Sequence, residues 1–305
     1  MIKKNILNLD KELEKINVMD ETKSLGNRMK EYENLTRFYL PKDNCIIIRI
    51  DGNAFHTFTR GFKKPFDRLL KSCMEETAKY LVENIPGAQM AYHQSDEISV
   101  LVTPFKLNNS EQSAWFDNNL NKLVSITASM ATLKFNQAFS FSKASSEWEK
   151  SPPDIPTLEE LSVIRNIRNS HMIASTKGAL FDSRAFVLPE DEVINYFIWR
   201  QQDAIKNSIS MVAQSLFSHK SLQGLNGKQM IERMKEDKSV DFELGYSTSE
   251  RRGSVVTRLE PVEEVKTIVV KGQEKEIKFT RRRWGIDYDI PVFKDNREYI
   301  EKFLK

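Results

Sequence analysis

A chain of 305 residues, 40% hydrophobic and 29% charged, has the balance of an ordinary globular protein rather than a disordered or fibrous one, and its length predicts one domain with a sizeable extension. A formal net charge of +3 is too small to recruit nucleic acid through a global field, so any RNA contact must come from local clusters. No apolar run could cross a bilayer and the opening MIKKNILNLDKELEK lacks a secretory apolar core, so a cytoplasmic protein with no membrane partner is expected.

Residues 1–24 alternate charged and apolar residues at roughly helical spacing and read as an N-terminal extension without chemistry. LGNRMKEYENLTRFYLP follows as a helix that docks on the core. Cys45 to Ile50 is a continuous, mostly β-branched apolar run, which predicts a buried central strand with Asp51 at its carboxyl end. Gly52 frees the backbone to approach a ligand, and amides beyond it face whatever lies above the strand, which is a place for phosphate. A basic cluster, Arg60, Lys63 and Lys64, comes next. Pro65 opens a helix whose Leu69, Leu70, Cys73, Met74, Thr77 and Leu81 share one face. Cys45 and Cys73 lack metal-type spacing and read as reduced and structural.

Gln89–Tyr92 and Ile98–Thr103 predict two strands joined around HQSDE, a hairpin with Asp96 and Glu97 at its tip. A helix from Ser113 to about Phe139 is expected to bury Trp115, Phe116, Leu120, Leu123, Ile126, Met130 and Leu133. Residues 141–170, rich in Ser, Pro and charge, read as a mobile insertion with a helical piece from Leu158 to Ile167; its Arg165, Arg168 and His171 read as a solvated polar face, with RNA contact as the alternative. A strand from Arg184 to Leu188 closes the unit. The order strand, helix, strand, strand, helix, strand is the ferredoxin-like pattern of an α+β fold.

Glu190–Phe217 then predicts an amphipathic helix, with Trp199 of its WRQQD stretch read as core. In the tail, RRGSVVTR and KTIVVKGQEKEIKFT read as β-hairpins with basic edges, Arg281, Arg282 and Arg283 serving either phosphate contact or solubility. The expected division is 1–24, a catalytic unit at 25–189, and a helical and β-hairpin region at 190–305.

Two carboxylates at neighbouring strand ends suit magnesium, which takes one or two carboxylates and fills its shell with phosphate oxygens and water. A pair of such ions about 4 Å apart stabilises attacking and leaving oxygens in phosphoryl transfer. Asp51 and Asp96 beside a basic cluster therefore predict a two-metal phosphoryl or nucleotidyl transfer centre.

The stretch RIDGNAFHTFTRGFKKPFD, followed by YHQSDEISV, FDSRAFVLP, WRQQDAIKN and RRGSV, resembles the tRNA-His guanylyltransferase family, in particular its bacterial and archaeal branch of guanylyltransferase-like 3′-to-5′ RNA polymerases. The resemblance implies a polymerase palm on which a nucleoside triphosphate donates its 3′-hydroxyl to an activated 5′-phosphate of tRNA. It implies ATP and GTP as substrates, two magnesium ions on Asp51, Asp96 and the Gly52 carbonyl, and a homotetramer. Asn53, Ala54, Phe55 and His56 would cradle the triphosphate, with Lys64, Asp67 and Ser95 around it, Asn207 contacting nucleotide and Glu97 completing the acidic set. Arg251 or Arg252 would lie near the RNA 5′ end. The chain departs from the eukaryotic pattern where it reads Ile205-Lys206-Asn207-Ser208 in place of His-Ile-Asn-Asn. That favours templated repair of 5′-truncated tRNA over dedicated guanosine addition to tRNA-His. A palm-type nucleotide cyclase and a non-catalytic RNA-binding protein are the readings from other classes, and the presence of both acids favours catalysis.

Overall fold

The computed structural model describes residues 13, 23–104, 114–141, 157–270 and 273–304. The expectation for the N-terminal extension, and that for the first half of the insertion, lie outside these residues.

Strand β1 (Cys45–Asn53) buries its apolar residues Cys45, Ile46, Ile47, Ile48 and Ile50 and opens toward Asn53, as a run of mostly β-branched residues ending in Asp-Gly requires. With β2 (Ala88–Gln94), β3 (Glu97–Val102) and β4 (Leu180–Leu188) it forms the order β4-β1-β3-β2, every pair antiparallel, which is the ferredoxin-like arrangement. Ile46, Ile48 and Ile50 of β1 and Ile98 and Val100 of β3 share one face of the sheet. Residues two apart share a face. Helices α3 (Arg68–Asn84) and α4 (Leu120–Phe141) cover that face with Met74, Leu81, Leu123 and Phe135. On the other face Cys45, Ile47, Met90, Tyr92 and Leu101 pack against α6 (Glu190–Leu216) and Ile290, Phe293 and Ile300 of the C-terminal segment. Fully burying one such large side chain stabilises the fold by roughly 1.5–3 kcal/mol.

Several boundaries differ from the sequence reading. Helix α4 starts at Leu120 rather than Ser113, because Phe116, Asp117 and Asn118 take left-handed backbone that breaks the helical path, and Asn119 then caps the new helix through its Oδ1 to the Lys122 amide. The buried stripe of α4 runs through Leu123, Thr127, Ala131 and Phe135, while Phe116, Ile126 and Leu133 are exposed. Steps of four residues keep facing the sheet where small side chains admit close approach; the steps of three from Leu123 to Ile126 and from Met130 to Leu133 drift off it, while Trp115, Leu120 and Met130 still pack against the core. The helical piece of the insertion is α5, Leu158–Lys177, twice the expected length, opened by a Thr157–Glu160 capping box.

The expected boundary at residue 189 is not a break in the sheet. β5 (Ser254–Arg258) pairs with β2, and β8 (Trp284–Asp287) pairs with β5, so RRGSVV leads into an inner strand of the main sheet, with β8 at the edge, rather than into a separate hairpin. β6 (Val262–Val270) and β7 (Gln273–Arg281) form a two-stranded ribbon of their own. Among the described residues no helix is long and apolar enough to cross a membrane.

Candidate active site

The site grows from the carboxyl end of β1. Asp51 lies opposite Glu97 of β3 and Asp182 of β4, and the Gly52 amide donates to the Asp96 carbonyl at 3.1 Å, which ties the hairpin tip to the strand end. Between Gln94 and Glu97 the chain reverses in two residues, and Ser95 sits there at φ +54. Left-handed backbone costs a non-glycine residue roughly 1–2 kcal/mol, strain that a well-held functional turn sustains. Burial, and then the charge of Asp51, push the Asp96 carboxyl above its ordinary value.

Two cavities meet at this tip. The larger, about 440 Å³, is lined by Phe55, His56, Lys63, Lys64, Asp67, Lys71 and Ser249; the second, about 410 Å³, by Asp51, Glu97, Arg200, Asp203 and Asn207; Gln94, Ser95, Asp96 and Met211 belong to both. Asp96 therefore faces a lysine-lined chamber on one side and the Asp51 chamber on the other. The expected metal donors, Asp51 and Asp96, offer hard oxygens from two repelling carboxylates, and among the described residues no group of three or more His, Cys, Asp or Glu converges on a point. Such a set fits a cation that completes its shell with substrate phosphate and water, the habit of magnesium, and would serve zinc or calcium poorly.

The loop beyond β1 is held from beneath. A Cβ on Gly52 would lie 2.3 Å from the Phe55 ring, so what requires glycine here is the aromatic packed under the strand end. Phe55 and Phe58 are buried among Phe135, Phe139 and Phe181, whereas His56, between them on the short helix α2 (Phe55–Phe58), is exposed toward the larger cavity. The first-turn amides of Phe55 and His56 have no acceptor within their own helix. Gly52→Ala should displace the Phe55 ring and with it this loop. A purified variant should lose several degrees of thermal midpoint and most nucleotide binding; wild-type values in both measurements would show that the ring has room to move.

Of the expected residues, Phe55, His56, Lys64, Asp67, Ser95 and Asp96 line the larger cavity, and Asp51, Ser95, Asp96, Glu97 and Asn207 the second; Gly52, Asn53 and Ala54 line neither. Two carboxylates are already engaged. Glu97 is gripped by Arg200 at 2.8 and 2.9 Å, and Arg200 also reaches Asp203 at 3.1 Å. Asp67 caps α3 through the Leu70 amide and receives the Lys63 amide and the His171 imidazole.

The WRQQD stretch divides by helix face. Arg200 holds Glu97, while Gln201, buried, donates to the Pro291 carbonyl and accepts from the Phe293 amide, pinning the C-terminal segment. Trp199, read as core, is 51% exposed with the Arg200 guanidinium over its ring, because it sits about half a turn around α6 from the core residue Phe197. Arg251 bonds the Tyr246 carbonyl and pairs with Glu243, and Arg252 bonds the Ile290 carbonyl, so both staple the local chain. Arg281 and Arg283 pair with Glu264 on the ribbon. Arg60 of the basic cluster does not line either cavity.

The sequence reading missed Lys71 and Ser249, and it placed on a solvated face His171, which the structure packs against Phe62 and bonds to Asp67. Lys71 lies seven positions beyond Lys64, in the first turn of α3, but its bond of 2.6 Å to Ser249 depends on α10 (Thr248–Arg252), distant in sequence.

A ferredoxin-like sheet that sets two acids at adjoining strand ends beside a lysine-lined chamber defines the palm class of nucleotidyltransferases. The model of the tRNAHis guanylyltransferase family matches residues 26–189. A bacterial tRNA(HIS) guanylyltransferase (Thg1)-like protein in complex with ATP is 40% identical and superposes with a TM-score of 0.69 over 92% of this chain and 99% of that one. The same kind of protein in complex with GTP is 39% identical, with a TM-score of 0.66 and the same coverage, 92% and 99%. The tRNA(His) guanylyltransferase of Debaryomyces hansenii is 25% identical over 286 residues, 90% of this chain and 95% of the relative. The chain belongs to the tRNAHis guanylyltransferase family and is a nucleotidyltransferase. The cyclase reading finds no support in these relations.

Proposed function

We propose that this enzyme extends the 5′ end of tRNA in the 3′-to-5′ direction with ATP and GTP as substrates, and that its task is templated repair of 5′-truncated tRNA. The observation that carries the finer part is Ile205. Its side chain is packed against the apolar cluster of Ile209, Val212, Met234 and Phe242, where it offers no hydrogen bond to a base or phosphate. Without the imidazole of the eukaryotic pattern, selection of the incoming nucleotide falls to Watson-Crick pairing with the opposing base. Dedicated addition of an extra guanosine would need a protein group in that place.

In this reading Lys63, Lys64 and Lys71 hold the triphosphate in the larger cavity with the first-turn amides of Phe55 and His56, and Ser95 shapes its wall. Asp51, Asp96 and the Gly52 carbonyl would hold two magnesium ions, which when bound supply positive charge to the attacking and leaving oxygens. Asn207 offers its amide to nucleotide in the cavity it shares with Asp51. The 3′-oxygen of the incoming nucleotide forms a bond to the 5′-phosphorus of the RNA, and pyrophosphate or AMP departs from it. Preorganised positive charge does most of the catalytic work in such transfers. The homotetramer implied by the family remains part of the proposal, as does a cytoplasmic setting.

A set of tRNAs lacking one or two 5′ nucleotides, with different opposing bases, tests the repair reading by sequencing of the product ends. Addition should follow the opposing base and should include tRNAs other than the histidine one. If only guanosine is added, only to full-length tRNA-His and regardless of the opposing base, the dedicated guanylyltransferase reading replaces it.

A further inference from the structure

We propose that His171 is a positioning residue for the lysine loop of the nucleotide cavity, and that helix α5 acts as the clamp that carries it. The inference rests on the reading of Lys63 and Lys64 as triphosphate ligands.

Three contacts bring α5 onto this one loop. The His171 Nε2 donates to Asp67 Oδ2 at 2.9 Å across 104 positions of sequence, and both side chains are nearly buried, 12% and 4% exposed. The ring of His171 stands edge-on to Phe62 at 4.5 Å and to Phe139 at 6.0 Å, so it is fixed by packing as well as by its hydrogen bond. One residue earlier, Ser170 sits where a Cβ on Gly61 would lie, 2.3 Å from its Oγ; Gly61 has φ +84, a conformation glycine adopts without strain.

Asp67 transmits this hold. Its Oδ1 accepts from the Leu70 amide as the N-cap of α3, and its Oδ2 accepts from the Lys63 amide at 3.0 Å while also receiving His171. One carboxylate therefore fixes both the backbone at Lys63 and the start of the helix that presents Lys71. Burial alone would raise the Asp67 carboxyl; the hydrogen bond and charge of His171, with the Leu70 and Lys63 amides, together hold it below the ordinary carboxylate value. Remove the imidazole and Asp67 loses the side-chain donor that holds it and turns toward the lysines of the cavity. It would then compete with the phosphates for the groups that should bind them.

The test compares His171→Ala, His171→Phe and His171→Gln with Lys64→Ala in the full-length enzyme, using ATP and GTP. Phenylalanine keeps the packing against Phe62 and Phe139 and removes the donor, while glutamine places an amide N–H close to the position of Nε2. A hydrogen bond to a buried charge supports an expected rise in nucleotide KM of about tenfold or more in the alanine and phenylalanine variants, with kcat changed far less. The glutamine variant should stay close to wild type. Hydrogen exchange of residues 61–67 should quicken in the phenylalanine variant while the thermal midpoint is nearly kept. Where the alanine variant does not fold, the phenylalanine and glutamine pair decides. Unchanged nucleotide KM in the phenylalanine variant, with a raised KM in Lys64→Ala, overturns the clamp and leaves the triphosphate reading standing. Normal nucleotide kinetics in Lys64→Ala overturn that reading, and the clamp falls with it.

Discussion

Asp51→Ala and Asp96→Ala should each lower the rate of nucleotide addition by about a thousandfold or more while the protein remains folded. The size follows from the role: charge stabilisation by two bound cations is worth several kcal/mol at the transition state, and each 1.36 kcal/mol is a factor of ten in rate. The direction of the stability change separates this from simple damage. Burial and the neighbouring Asp51 both disfavour an ionised Asp96, so without magnesium the acid side chains oppose folding, and Asp96→Asn should leave the thermal midpoint unchanged or raise it. Adding magnesium should raise the wild-type midpoint and leave that of either alanine variant in place. Extension assays on a truncated tRNA, with thermal melts with and without magnesium, measure both quantities. A folded Asp51→Ala enzyme working at a rate near that of wild type would remove the two carboxylates from the chemistry.

The second large effect is on stability and comes from Arg200→Met. Arg200 and Glu97 are mostly buried, at 11% and 17% exposed, and the guanidinium grips the carboxylate through two nitrogens. Deleting one partner leaves the other charge desolvated without compensation, a loss of roughly 3–5 kcal/mol. Burial already pushes the Glu97 carboxyl above its ordinary value, against the pull of Arg200 and Arg49, which is the strain that the mutation would expose. Glu97→Gln alone should cost less, since Arg200 retains Asp203. The pair Glu97→Gln and Arg200→Met together should recover part of the single Arg200→Met loss, the signature of a coupled interaction in a double-mutant cycle. Urea denaturation of the four proteins gives these differences. Additive losses would mean that Glu97 does not depend on Arg200. Because Glu97 directly follows Asp96, the same mutation should also disturb the hairpin tip and slow the reaction.

The resemblance in sequence reached the family, and the residues by themselves reached much of the fold. A buried run of β-branched residues ending in Asp-Gly, and an alternating strand opened by an acidic pair, are local patterns whose geometry does not wait on partners far along the chain. Periodicity of two puts Ile98 and Val100 on one face of β3 and Leu101 on the other, and the structure has them so. The same rule separates Asp96 from Glu97, but not what each would meet.

That was decided by tertiary structure. Whether Glu97 belongs to the metal or to the scaffold depends on Arg200, and whether Asp67 faces phosphate or braces a loop depends on His171; each partner lies more than a hundred residues away on a separate helix. The joining of β5 and β8 to the palm sheet has the same origin. A sequence fixes which groups a residue offers and which face of its own element it occupies. What stands across from that face is set only when elements pack, because a buried charge, donor or edge strand takes the partner that the assembled layers bring within reach.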